Sequence, residues 1–143
     1  RKMAHPPPFG GVMESTQSTA TQARRETRNE SLARVKAVID ADPAAPYRMA
    51  TLARCALMGQ WYFQHAFEAR YGISPGRYVR LQRLRVACDL LATTDYRIIR
   101  ISVAVGYAYQ SSLTDVFTRE IGVSPTAYRR WAAYAAELGA PTP

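Results

Sequence analysis

The chain has 143 residues, with 19 Lys and Arg against 11 Asp and Glu, for a net charge of +8 and a pI near 9.9. That length holds one domain with a real core and leaves little room for two, and the charge points to phosphate-bearing or anionic partners. No apolar run approaches the roughly 20 residues that span a bilayer, so no membrane partner is expected, and Cys55 and Cys88 show no ligand spacing, which fits a reduced, cytoplasmic setting.

Residues 1 to about 28 include "HPPPFGG" and "ESTQSTATQ", rich in Pro, Gly, Ser, Thr and Gln, and read as a flexible linker or tail. From Asn29 the texture changes. Leu32, Val35, Val38 and Ile39 fall on one helical face, with Asn29 or Ser31 as N-cap and Pro43 as the stop, predicting a helix over about 30 to 41 and a folded domain over about 29 to 140. Met49, Leu52, Ala53 and Ala56 predict a short helix over about 49 to 56, and Phe63 with Phe67 a second over about 60 to 70. In "ISPGRY", Ser74 is suited to cap and Pro75 to open a longer helix, carried by Tyr78, Leu81, Leu84, Val86, Cys88 and Leu91 to about 92.

The pattern then repeats. Ile98, Ile101, Ser102 and Val105 lead to a break at Gly106, a helix over about 109 to 120, and a last helix from "SPTAYRR" to about Leu138. Phe67 and Phe117, Gly72 and Gly122, Ser74 and Ser124, Pro75 and Pro125, and Tyr78 and Tyr128 stand in step. No stretch alternates like a half-buried strand, so the expectation is an all-α domain of about seven helices. Two helix-turn-helix subdomains, over about 49–71 and 98–120, are joined by a linker helix over about 75–92.

That linker is about 25 Å long at 1.5 Å per residue. With a helix about 10 Å wide at each end, it is the right size to seat both subdomains on grooves about 34 Å apart on one side of B-DNA. If Phe63, Ala66 and Phe67 pack inward, Gln60, Trp61, Gln64 and His65 face outward; if Leu113, Val116 and Phe117 pack, Gln110, Ser111, Ser112, Thr114 and Asp115 do. Gln pairs with adenine, His donates to guanine, and Ser or Thr bonds base or phosphate. Arg70, Arg77, Arg80, Arg83 and Arg85 form a basic run of which a share is expected to meet phosphate, and Arg48, Arg97 and Arg119 flank the helix-turn-helix units in the same role.

From about 31 to 131 the chain resembles the C-terminal DNA-binding domain of the AraC/XylS family of bacterial transcriptional regulators. The match is strongest in "RIIRISVAVGYAYQSSLTDVFTREIGVSPTAYRR", where Gly106, Gln110, Phe117, Gly122, Pro125 and Tyr128 stand at the family's positions. The resemblance implies a monomeric domain whose two reading helices enter successive major grooves. It places base contacts on Trp61, Gln64, His65, Gln110, Ser111, Ser112, Thr114 and Asp115. His65 and Asp115 depart from the arginines common there, and because Asp115 would repel phosphate unless it accepts from a cytosine amino group or pairs with a nearby arginine, the second helix is expected to add less affinity than the first. Leu57 stands where the second copy has Gly106, and the first turn is expected to take a different backbone path, since a left-handed leucine is strained. The opening "RKMAHPPPFGG" resembles the linker to an amidase-like sensor domain in one branch of the family.

The expected partners are double-stranded DNA and RNA polymerase, with effector sensing or dimerisation supplied by another domain. Two rival readings share the charge: a helical protein-interaction module with an acidic partner, and a non-specific architectural DNA binder. No cofactor or metal is implied, and catalysis is not expected, because His5 and His65 are the only histidines and no nucleophile-base set is visible. Cys55 and Cys88 read as small core residues.

Overall fold

The computed structural model describes the backbone of residues 10–140 and the side chains of residues 18–140. Seven helices follow in chain order among the described residues: α1 Gly10–Ala41, α2 Met49–Cys55, α3 Gln60–Tyr71, α4 Pro75–Thr93, α5 Ile98–Ala104, α6 Gln110–Ile121 and α7 Pro125–Glu137. No strand occurs among those residues, so the domain is all-α, as the periodicity predicts.

Six helices fall within two residues of expectation at both ends, and the seventh, α1, does so only at its end. α1 starts at Gly10, about twenty residues before its predicted start. No Gly or Pro lies between Gly11 and Pro43, so nothing interrupts propagation once the core anchors Leu32, Val35 and Ile39. Ser31 is not an N-cap but a buried residue inside the helix, whose hydroxyl accepts from Arg34 Nη2 at 3.3 Å. Residues 10–28, read as flexible, are helical, with 18–27 all exposed. The start of the "RKMAHPPPFGG" stretch lies outside the described residues.

Two buried clusters form, one per helix-turn-helix. Leu32, Val35 and Ile39 of α1 pack with Leu52, Ala53, Phe63, Phe67, Tyr78 and Val79. Leu84, Ala87 and Leu91 of α4 pack with Ile101, Val105, Leu113, Phe117, Tyr128 and Ala132. α4 therefore contributes its start to one core and its end to the other. Val38 and Cys55, both expected inside, are exposed, while Cys88 is half-buried at the second core's edge.

The repeated corner is repeated in its atoms. Ser74 Oγ accepts from Arg77 N at 3.2 Å and Ser124 Oγ from Ala127 N at 3.1 Å, satisfying a first-turn amide of α4 and α7. Phe67 meets Tyr78 edge-on with ring centroids 5.7 Å apart, and Phe117 meets Tyr128 at 5.6 Å. Gly72 and Gly122 end α3 and α6 at φ of 82° and 94°, the left-handed turn in which glycine is unstrained.

The α2–α3 and α5–α6 turns open identically. Leu57 N donates to Arg54 O and Met58 N to Ala53 O; Gly106 N donates to Val103 O and Tyr107 N to Ser102 O. Leu57 sits at φ 58° and Gly106 at φ 102°. The expected detour at Leu57 is therefore absent: the first turn takes the left-handed path with leucine in it. Its side chain, 85% exposed, escapes into solvent, so the cost is confined to the backbone, about 1–2 kcal/mol.

Candidate nucleic-acid interface

Arg83 bonds across the two halves. Arg83 of α4 donates from Nε to Pro43 O and from Nη2 to Ala45 O, both at 2.8 Å, while its guanidinium lies 5.1 Å from the Tyr107 ring centre. It thus joins the α1–α2 loop, the linker helix and the second turn. A Cβ at Gly106 would stand 2.7 Å from Ala44 O and 3.0 Å from Arg83 Cζ, so glycine is required there by crowding as well as by φ. Arg83 belongs to the basic run of which only a share is expected to meet phosphate, and it is half-buried and bonded to backbone carbonyls.

On α3, Gln60, Trp61 and His65 are exposed and Gln64 is half-buried, while Phe63 and Phe67 fill the core. Helical spacing sets those four on one face. Trp61, 70% exposed, stacks on His65 with ring centroids 3.9 Å apart. His65 Nδ1 lies 2.8 Å from Trp61 O. A carbonyl only accepts, so Nδ1 carries the proton, and a neutral ring presents Nε2 as an acceptor. Donation to guanine, expected of His65, therefore requires the protonated ring; the neutral one suits an amino group of adenine or cytosine.

On α6, Gln110, Ser111 and Asp115 are exposed, Ser112 and Thr114 are half-buried, and Leu113 and Phe117 face the core. Asp115 takes part in neither ion pair found among the described residues. The turn before α6 is one residue longer than that before α3, and Ser102 holds it: its buried Oγ lies 3.1 Å from Tyr107 O and 2.9 Å from Tyr109 O, which share its single proton. The first copy has Ala53 at that place.

The first amides of α3 and α6 carry no side-chain cap, in contrast to those of α4 and α7. Of the expected phosphate contacts, Arg48 and Arg97 are exposed just before α2 and α5, and Arg70 and Arg119 are exposed in the last turns of α3 and α6. Arg77 is also exposed but donates from Nη2 to Glu120 at 3.1 Å, which ties α4 to α6 and offsets its charge. Arg80 is half-buried along α4, its Nε without a hydrogen-bond partner.

Burial pushes the Tyr128 hydroxyl up to about 12, aided by the neighbouring Cys88, and raises the Cys88 thiol. Tyr78, whose hydroxyl donates to Asp40, is also raised, first by burial and then by that carboxylate. These groups knit α7 to α4 and α4 to α1. Among the described residues no cluster of three His, Cys, Asp or Glu is placed to hold a metal ion, and no helix is long and apolar enough to cross a membrane.

Arg25 and Arg28 line a cleft with Arg70, a placement not legible in the sequence because their segment reads as a tail; Arg28 Nη1 lies 3.3 Å from Tyr62 Oη of α3. The uninterrupted, proline-free run to Pro43 was the available signal.

A family profile described as a helix-turn-helix domain matches residues 52–130. The regulatory protein SoxS of Salmonella typhimurium is 32% identical over 91 residues, covering 64% of this chain and 85% of SoxS. The transcriptional regulator AlkR of Acinetobacter baylyi is 31% identical over 99 residues, 69% of this chain. The chain spans about a third of AlkR and of the probable regulator LumQ of Photobacterium leiognathi. Among solved structures, the DNA-binding domain of AdpA in complex with a target DNA aligns at a TM-score of 0.67 with 33% identity, covering 74% of this chain and 94% of that one. The C-terminal domain of AraT from Geobacillus stearothermophilus aligns at 0.66 with 26% identity, covering 70% and 84%. Two helix-turn-helix units on one linker helix, matched by profile, relatives and structures alike, make this chain a member of the AraC-type family of transcriptional regulators.

Proposed function

We propose that this chain reads double-stranded DNA as a single copy, with α3 and α6 in successive major grooves, and thereby regulates transcription from a promoter. The observation that carries the reading is the duplicated unit, one copy packed on each end of α4 and the two joined at its middle by the Arg83 contacts, which leaves two polar helix faces on one frame. Gln60, Trp61, Gln64 and His65 read one site and Gln110, Ser111, Ser112, Thr114 and Asp115 the other, with Asp115 accepting from a cytosine amino group. Arg48, Arg70, Arg97 and Arg119 hold phosphates, Arg77 and Arg80 contribute less, and the uncapped amides opening α3 and α6 are suited to phosphate oxygens.

The protein works without catalysis, in the bacterial cytoplasm, by recruiting or excluding RNA polymerase, and a further domain senses the effector or dimerises. Selection of binding sites from random duplex tests this. One motif with two half-elements about ten base pairs apart is expected, and equal affinity for unrelated duplexes would favour the architectural reading instead. On the selected site Gln64→Ala should cost roughly 1–3 kcal/mol and relax preference at one base. Equal binding by Gln64→Ala and a distant surface substitution would remove α3 from the interface.

A further inference from the structure

α1 extends well beyond the core it anchors, and its exposed segment runs alongside the first reading helix. Arg25, Arg28 and Asn29 of α1 face Ala66, Ala69 and Arg70 of α3 across a cleft of about 230 Å³. The two alanines leave its floor open. Arg28 is fixed at the rim by its contact with Tyr62 Oη. No carboxylate lines the cleft; Glu26, next to Arg25 in sequence, points along α1 to accept from Gln22 Nε2 at 3.4 Å. None of the three arginines takes part in an ion pair among the described residues.

Three arginines lining one cleft with no carboxylate in its wall raise the local positive potential, and an anion with several oxygens offsets it through paired N–H donors. The position says which anion. On α3, Tyr62, Ala66 and Ala69 occupy the side next to the face of Gln60, Trp61, Gln64 and His65. A helix lying in the major groove has a phosphate rail along such a flank.

We infer that Arg25, Arg28 and Arg70 close on a backbone phosphate beside the groove that α3 enters, so that α1 lengthens the DNA footprint beyond the two reading helices. This rests on the proposed entry of α3 into DNA. It makes α1 a part of the interface and not merely a tether.

The test compares the whole chain with R25A/R28A on the selected duplex across a salt series, after thermal melts show both folded. The variant's slope of log affinity against log salt should be smaller by about one, with the order of preference among base-substituted duplexes unchanged. R25E/R28E should lower affinity further. Trimming the duplex on the α3 side should erase the difference between the chain and R25A/R28A. Equal slopes on the untrimmed duplex would overturn the inference. So would inorganic phosphate saturating the cleft in the absence of DNA while the slopes stay equal, since the cleft would then serve a free anion. If the unsubstituted chain enriches no motif but R25A/R28A still shows the smaller slope, base reading by α3 fails while the phosphate contact stands.

Discussion

In the first half of the molecule the residue that turns the chain between the paired helices is an exposed leucine, whereas in the second half the same place is held by a glycine pressed against a carbonyl. Both adopt positive φ and share the same pair of backbone hydrogen bonds, so the turn itself does not select glycine. The neighbours do. Leu57 is 85% exposed, while Gly106 sits under Ala44 O and Arg83, where the halves meet. Ser102 against Ala53 is the same lesson on a smaller scale: the longer second turn needs a hydroxyl to gather its carbonyls, and the shorter first turn does not.

Substitutions can break this comparison. Gly106→Ala should destabilise most, by about 3 kcal/mol or more, because strain and a clash add; Leu57→Ala, at the same φ in open space, should be nearly silent, and equal urea midpoints for the two would refute the crowding account. Arg83→Ala should cost about 2–3 kcal/mol by stranding two carbonyls and uncoupling the halves, visible as a broadened or split unfolding transition. Ser102→Ala should cost about 1–2 kcal/mol, with calorimetry as the check. Leu57→Gly should instead gain up to about 1 kcal/mol as left-handed strain is relieved against the entropy of glycine.

The paired tyrosines supply the mildest contrast. Tyr128 is held neutral in the fold, its hydroxyl raised from an ordinary value near 10 to about 12. That contribution is complete below pH 10 and is lost as pH rises through about 12, because the unfolded chain ionises first. Tyr128→Phe should flatten the fall in stability across that alkaline interval in a pH series of melting temperatures.

Helix placement from α2 onward was legible because apolar spacing and the Ser-Pro openings act locally: Ser74 and Ser124 do bond the amides expected of them. The inward and outward sides of α3 and α6 followed from the positions of Phe63, Phe67, Leu113 and Phe117, all fully buried. What escaped depends on polar partners that apolar spacing does not reveal. The start of α1 was hidden because Asn29 and Ser31 look like caps, yet the buried Ser31 hydroxyl meets an arginine one turn on. Arg83 resembles its exposed neighbour Arg85 in composition, and only the meeting with Pro43, about forty residues away, makes it cement. His65 could be assigned to a face from periodicity, but its proton position depends on the Trp61 carbonyl.

Because α4 lends side chains to both cores and Arg83 pins the join, the phase between the two halves is set inside the protein. An extra base pair between the half-elements of an operator would carry one of them about 3.4 Å along the duplex axis and turn it by about 35°. Neither α3 nor α6 could follow without opening the Arg83 contacts. On the proposed two-groove reading a base substitution would weaken one contact, while a single insertion would break the match of both helices at once, so its binding sites would be free to drift in letters but not in length.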